Sequence, residues 1–165
     1  MKIAVIVGNP KPASRTLEAA KLLAGKVGGT PDPVIDLAVF GATLLEFGNA
    51  DIAAVIASVC EADVAIFASP TYKATYTGLL KLFLDMFPPD GLDGVVALPL
   101  MLGAGPNHAL APDLLLKPVL VELKAMCPFP GLYLIDKTFA EDPRLDAYAE
   151  RASSYLPLRK REVSQ

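Results

Sequence analysis

Lys11, Ser14, Arg15 and Thr16 place two cations and two hydroxyls inside the short stretch Gly8-Asn9-Pro10-Lys11-Pro12-Ala13-Ser14-Arg15-Thr16. The turn is rich in Gly, Asn and Pro, and it runs into a helix that Ser14 can cap. Free backbone N–H groups at a helix start, next to hydroxyls and cations, make an anion site, with phosphate the favoured anion. The same residues also suit an ordinary capped turn between a strand and a helix, and both readings stand at this point. Two phosphate motifs are excluded. A triphosphate loop starting at Gly8 needs Gly at position 13 and Lys at 14, where Ala13 and Ser14 stand. The dinucleotide fingerprint needs three glycines here, and the stretch has one. A mononucleotide phosphate remains.

Two further segments carry usable chemistry. Ser69-Pro70-Thr71-Tyr72-Lys73 offers backbone amides, a proline that stiffens the turn and an aromatic ring. Leu102-Gly103-Ala104-Gly105-Pro106-Asn107-His108 offers glycines, which let a backbone approach a flat ring closely. A phosphate at one end and a planar heterocycle at the other describe FMN. No residue stands out as an acid or base. His108 is the only histidine, and it either caps a helix or touches a ligand. Cys60 and Cys127 form no C-x-x-C pair and read as structural thiols in a reducing compartment. A low-molecular-weight phosphatase needs Cys-x5-Arg, but Ile66 and Tyr133 stand six residues after the two cysteines. A response regulator needs an acidic pair where Gly8 and Asn9 stand.

The elements that must position these segments alternate strictly. Ile3-Ala4-Val5-Ile6-Val7 is apolar and β-branched with no polar alternation, as a parallel strand covered on both faces requires. A helix follows over 14–27, then a short edge strand over 34–37, a loop over 40–50 and a helix over 51–60. Val64 to Ala68 is a second fully apolar strand. A helix over 75–87 stops at Pro88-Pro89. Strands over 95–102 and 131–135 alternate with helices over 108–126 and 142–156, and 159–165 reads as a frayed basic tail. The pattern predicts an α/β fold, a doubly wound five-stranded parallel sheet in the order 2-1-3-4-5, as one domain spanning 1–165. Pro99 falls inside an interior strand and predicts a bulge there. Pro118 removes the N–H that would bond the Leu114 carbonyl, so a distorted turn is expected in the fourth helix.

Composition sets the remaining bounds. In 165 residues, hydrophobic residues make up 53% and charged ones 20%, more apolar than a monomer of this size needs. The third helix, with Tyr76, Leu79, Leu80, Phe83, Leu84 and Phe87 in one stripe, leaves Leu82 and Met86 outside it. The fourth is apolar nearly all round, and the surplus face predicts a homodimer or homotetramer. A net charge of -3 argues against nucleic acid or an anionic membrane as partner. No stretch reaches the roughly 20 apolar residues of a membrane span, and no signal pattern opens the chain, so a cytoplasmic location is expected.

The segment Ser69-Pro70-Thr71-Tyr72-Lys73-Ala74-Thr75-Tyr76-Thr77-Gly78-Leu79-Leu80-Lys81, with the Gly8-Asn9-Pro10-Lys11 start, resembles the NADPH-dependent FMN reductase family of flavodoxin-like proteins. Leu98-Pro99-Leu100, the glycine loop before His108 and Leu116-Lys117-Pro118-Val119-Leu120 resemble its sulfonate-utilisation branch more closely. The similarity covers roughly residues 1–140. It implies hydride transfer from NADPH or NADH to FMN, with reduced flavin supplied to a partner monooxygenase. It implies that Ser14, Arg15 and Thr16 hold the FMN phosphate, helped by Asn9 and Lys11. Pro70, Thr71, Tyr72 and Lys73 would flank the ribityl chain and ring, and Gly103, Ala104 and Gly105 the pyrimidine end. Lys73 can also meet the 2'-phosphate of NADPH or remain solvated.

Asn9 stands where this family usually has Ser, Lys11 where it has Arg, and Ala104 where it has a second consecutive Gly. Leu114 replaces an aromatic or imidazole residue found in this branch. That last departure raises an alternative, a tightly bound FMN passing electrons to a quinone, azo compound or metal ion. A non-enzymatic flavodoxin-like electron carrier would share the fold, but the third loop lacks the aromatic ring such carriers place there.

Overall fold

The computed structural model describes residues 1–162. Strand β1, Ile3–Val7, is buried along its whole length. Ile3, Val5 and Val7 pack to one side of the sheet and Ala4 and Ile6 to the other, which is why no polar residue interrupts the run. The sheet continues with β2 (Val34–Asp36), β3 (Val64–Pro70), β4 (Val96–Gly103) and β5 (Leu132–Ile135). Its order is β2-β1-β3-β4-β5 with every neighbouring pair parallel, the doubly wound arrangement expected.

Helices α1 (Arg15–Val27) and α5 (Pro143–Glu162) cover one face. Helices α2 (Ala50–Cys60), α3 (Gly78–Leu84) and α4 (Lys117–Glu122) cover the other. Phe67 and Ile6 lie at the centre of that second layer, both fully buried. Each contributes about 1.5–3 kcal/mol of burial.

Several expectations are corrected. β4 carries no bulge at Pro99, which pairs in register with Phe67 of β3. The reason lies in which way its nitrogen faces. Ala97 N–H donates to the Met126 carbonyl on the side away from β3, and the period of two puts the Pro99 nitrogen on that same side. Facing away from β3, that nitrogen takes no bond from the β3–β4 ladder, and the ladder with β5 is paired only from Leu100 onward, so none is lost there either. The third helix begins at Gly78 rather than 75, because Tyr72 and Thr75 close a tight turn through two positive-φ residues, Lys73 (51°) and Ala74 (70°). Thr77 then caps α3 by accepting from Leu80 N–H.

The expected helix over 108–126 is broken into pieces. A 3-10 turn spans Pro106–His108, a π-helical turn spans Pro112–Leu116, and only then does α4 begin. Lys117 N–H bonds to the Pro112 carbonyl, five residues back, so the distortion anticipated beside Pro118 is present. The segment expected as a loop over 40–50 includes part of a run of 3-10 turns, Leu37–Leu45, bent at Gly41 (φ 51°). At the far end α5 continues to Glu162, so a frayed segment does not begin at 159, and 163–165 lie outside the described residues. Among the described residues no helix is long and apolar enough to cross a membrane.

Candidate functional site

The strand order reverses between β1 and β3, so α1 leaves to one face and α3 to the other. The turns at the carboxyl ends of those strands therefore flank a crevice. The turn after β1 is built largely from its own polar atoms. Asn9 Nδ2 donates to Thr16 Oγ1 (3.0 Å), and Asn9 Oδ1 accepts from Lys11 N–H (3.0 Å). Asp36, at the end of β2, accepts from Ala13 N–H (3.0 Å), whose φ is +50°. Ser14 Oγ accepts from Leu17 N–H (3.3 Å) and caps α1. The Ser14 and Thr16 hydroxyls are thus acceptors within the protein, and each retains its own proton to give to a ligand.

The second turn is locked to the first. Thr77 Oγ1 donates to the Gly8 carbonyl while Thr77 N–H donates to Ser69 Oγ (3.0 Å). Thr71 N–H donates to the Leu102 carbonyl (2.7 Å), joining the third segment to the second. At the last residue of β4, the ring of Tyr133 occupies the space a side chain at Gly103 would need. A Cβ there would stand 1.7 Å from the phenol oxygen. That phenol donates to the Gly105 carbonyl (2.8 Å).

The three turns enclose a cavity of about 410 Å³, within the range of small-ligand sites. Of the residues proposed from the sequence, Asn9, Lys11, Ser14, Arg15, Thr16, Pro70, Thr71, Tyr72, Gly103 and Ala104 line it. Lys73 lies outside on the exposed turn, and Gly105 has its carbonyl turned to Tyr133. His108 is exposed and lines a separate hollow with Leu110 and Leu114.

Asp136 lines the cavity too and was missed. It is the first residue past β5, a position that the rule of ligands sitting beyond strand ends would have flagged. Its Oδ2 lies 3.1 Å from Arg15 Nη2. Glu18, in the first turn of α1, also reaches the lining.

Two buried polar atoms in these walls have no hydrogen-bond partner, Thr71 Oγ1 and Asp136 Oδ1. FMN presents groups that match this set: an anion for the first turn, a hydroxyl for the orphaned Thr71 oxygen and a flat ring for the backbone wall at Gly103. A larger apolar groove of about 540 Å³ under α2 is lined by no cation and no hydroxyl. Cys60 lines that groove, and burial raises its thiol pKa. Burial pushes the Cys127 thiol up to about 11, so neither cysteine is an activated nucleophile.

Known proteins share this framework. Residues 1–140 match the family model described as NADPH-dependent FMN reductase. The chain is 32% identical to an FMN reductase (NADPH) of Escherichia coli K12 over 161 residues, covering 92% of this chain and 78% of the relative. It is 30% identical to an NADH-dependent FMN reductase SfnF of Pseudomonas putida over 102 residues, 62% of this chain and 55% of that protein. Among solved structures, the apo form of the NADH:FMN oxidoreductase EMOB superposes with a TM-score of 0.83 at 31% identity. That match covers 96% of this chain and 89% of the other.

Proposed function

The chain belongs to the NADPH-dependent FMN reductase family, and from that premise we infer that it is an NAD(P)H-dependent oxidoreductase whose flavin-binding residues line the cavity beyond β1, β3 and β4. When bound there, a flavin would supply the hydride-accepting chemistry. The protein's own part is binding and orientation. The Ser14 and Thr16 hydroxyls would donate hydrogen bonds to the phosphate, with Lys11 and Arg15 beside it. Pro70, Thr71 and Tyr72 would hold the ring and its side chain from one wall of the cavity, and Gly103 and Ala104 from the other. Thr71 Oγ1 is an unfilled partner for a ligand hydroxyl. Gly105 and Lys73 act from just outside the lining, Lys73 where a nicotinamide nucleotide would approach.

The observation that carries this reading is the convergence of three turns, two of them locked together by Thr77, on one cavity with the orphaned Thr71 hydroxyl at its wall. The exposed apolar residues Leu110, Leu114, Leu115 and Val121 support assembly as a dimer or larger. The resemblance to the sulfonate-utilisation branch supports a flavin-dependent monooxygenase as receiver of the reduced flavin, in the cytoplasm. The test is a fluorescence titration of the purified chain with FMN, followed by reduced-nicotinamide consumption with and without FMN. Binding in the micromolar range and FMN-dependent consumption are expected; unquenched FMN at tens of micromolar would refute the site.

A further inference from the structure

Arg15 is the guanidinium at the phosphate end of the cavity, and it is already engaged. Its Nη2 lies 3.1 Å from Asp136 Oδ2, with the Arg15 side chain 55% exposed and that of Asp136 26%. The other Asp136 oxygen is buried and has no hydrogen-bond partner. Glu18 lines the same cavity from the first turn of α1. The charged residues of the lining are therefore two cations, Lys11 and Arg15, and two anions, Glu18 and Asp136. For a cavity read as a phosphate site, this balance is unusual.

An entering phosphate has two ways to reach Arg15. If it takes the guanidinium, it strands a carboxylate that already has one unpartnered buried oxygen, and an unpaired charge of that kind is costly. If it shares the guanidinium, two anions crowd one cation and repel each other. In both cases Asp136 subtracts from the affinity that Arg15 would otherwise give the phosphate. A riboflavin molecule, which has the same ring and side chain but no phosphate, meets no such competition.

We propose that Asp136 is a specificity-determining residue that competes with the FMN phosphate for Arg15, lowering the preference for FMN over riboflavin and keeping FMN an exchanging ligand rather than a resident group. This rests on the reading of the cavity as the flavin site and adds to it the residue that limits phosphate affinity.

Titration of the full chain with FMN and with riboflavin, followed by flavin fluorescence at low ionic strength, tests it in wild type, Asp136→Asn, Arg15→Ala and the double variant. Asp136→Asn is expected to tighten FMN by about threefold to fivefold, the scale of one partly exposed charge interaction, with riboflavin unchanged within twofold. Stopped-flow release of FMN should slow by a similar factor. In the Arg15→Ala background the same substitution should leave the FMN-to-riboflavin ratio unchanged within twofold.

Weaker FMN binding in Asp136→Asn, an equal effect on both flavins, or no effect overturns the proposal. Weaker binding would make Asp136 a positioning residue or a partner for a flavin hydroxyl. If wild type binds neither flavin, the site reading itself falls; if wild type binds FMN and the ratio does not move, only the role of Asp136 falls. Asp136→Ser provides the same readout should the asparagine variant fold poorly, as judged by its thermal transition.

Discussion

Thr77 holds Gly8. Its hydroxyl donates to the Gly8 carbonyl at the end of β1 and accepts from Leu80 N–H at the start of α3, in a position only 4% exposed. One side chain thus ends a strand, starts a helix and fixes two walls of the cavity. Thr77→Val keeps the shape but removes both bonds, leaving a carbonyl and an N–H unsatisfied. A loss of about 1–3 kcal/mol is expected from the midpoint of urea unfolding, with weaker FMN binding. Thr77→Ser retains the hydroxyl and should stay within about 1 kcal/mol of wild type. Equal losses in the two variants would show that the hydroxyl is not what matters.

Gly103 admits no side chain. The Tyr133 phenol stands 1.7 Å from where a Cβ would be, and Tyr133 is itself only 5% exposed. Gly103→Ala should cost about 1–3 kcal/mol through overpacking and depress affinity for FMN and riboflavin alike. Adding Tyr133→Ala to that variant should relieve the clash, so the two substitutions should combine non-additively. Strict additivity in thermal unfolding would refute the contact.

Cys127 gives the fold a dependence on alkaline pH. Burial raises its thiol to about 11 from an ordinary value near 9.0, and burial raises the buried Tyr148 phenol as well. The unfolded chain therefore releases the thiol proton at lower pH than the folded one. This stabilising difference is complete below pH 9 and is lost as pH rises toward 11. Wild type should lose more stability between pH 9 and 11 than Cys127→Ala, measured by urea midpoints. Parallel curves for the two proteins would rule the thiol out as the cause.

Leu114 is 65% exposed in the π-helical turn and Val121 is 50% exposed in α4, an apolar surface on a chain with 53% hydrophobic residues. Sedimentation at micromolar concentration should show a dimer or larger for wild type. Replacing both residues by Glu should give a folded monomer, because like charges would then meet across a desolvated contact. A wild type that sediments as a monomer contradicts this directly.

The sheet order and most of the cavity were legible because they depend on local chemistry. An unbroken apolar run specifies a strand buried on both faces, and a Gly/Asn/Pro turn ending at Ser14 specifies a capped helix. What was not legible depends on facing. Pro99 looked disruptive because sequence does not say which neighbouring strand a nitrogen points to. The long helix over 108–126 was overread, since apolar content persists through the break at Pro112–Leu116 and past the end of α4 at Glu122, and no periodicity signals the φ of +70° at Lys124. Asp136 was passed over for a similar reason: its meaning comes from Arg15, distant in sequence and adjacent only once β5 joins the sheet.

The bond from the Tyr133 phenol to the Gly105 carbonyl divides the crevice into unequal jaws. On one side, Ser69, Thr77 and Gly8 are cross-braced and leave the first two turns little room to yield. On the other, the backbone beyond Gly103 is held, among the described residues, by the phenolic bond at Gly105 before it reaches the turn at Pro106. Adjustment to an incoming ring should therefore fall on 104–108, and amide exchange should slow there most when flavin is added. Tyr133→Phe should make that segment the fastest-exchanging part of the rim, with the opposite jaw unmoved.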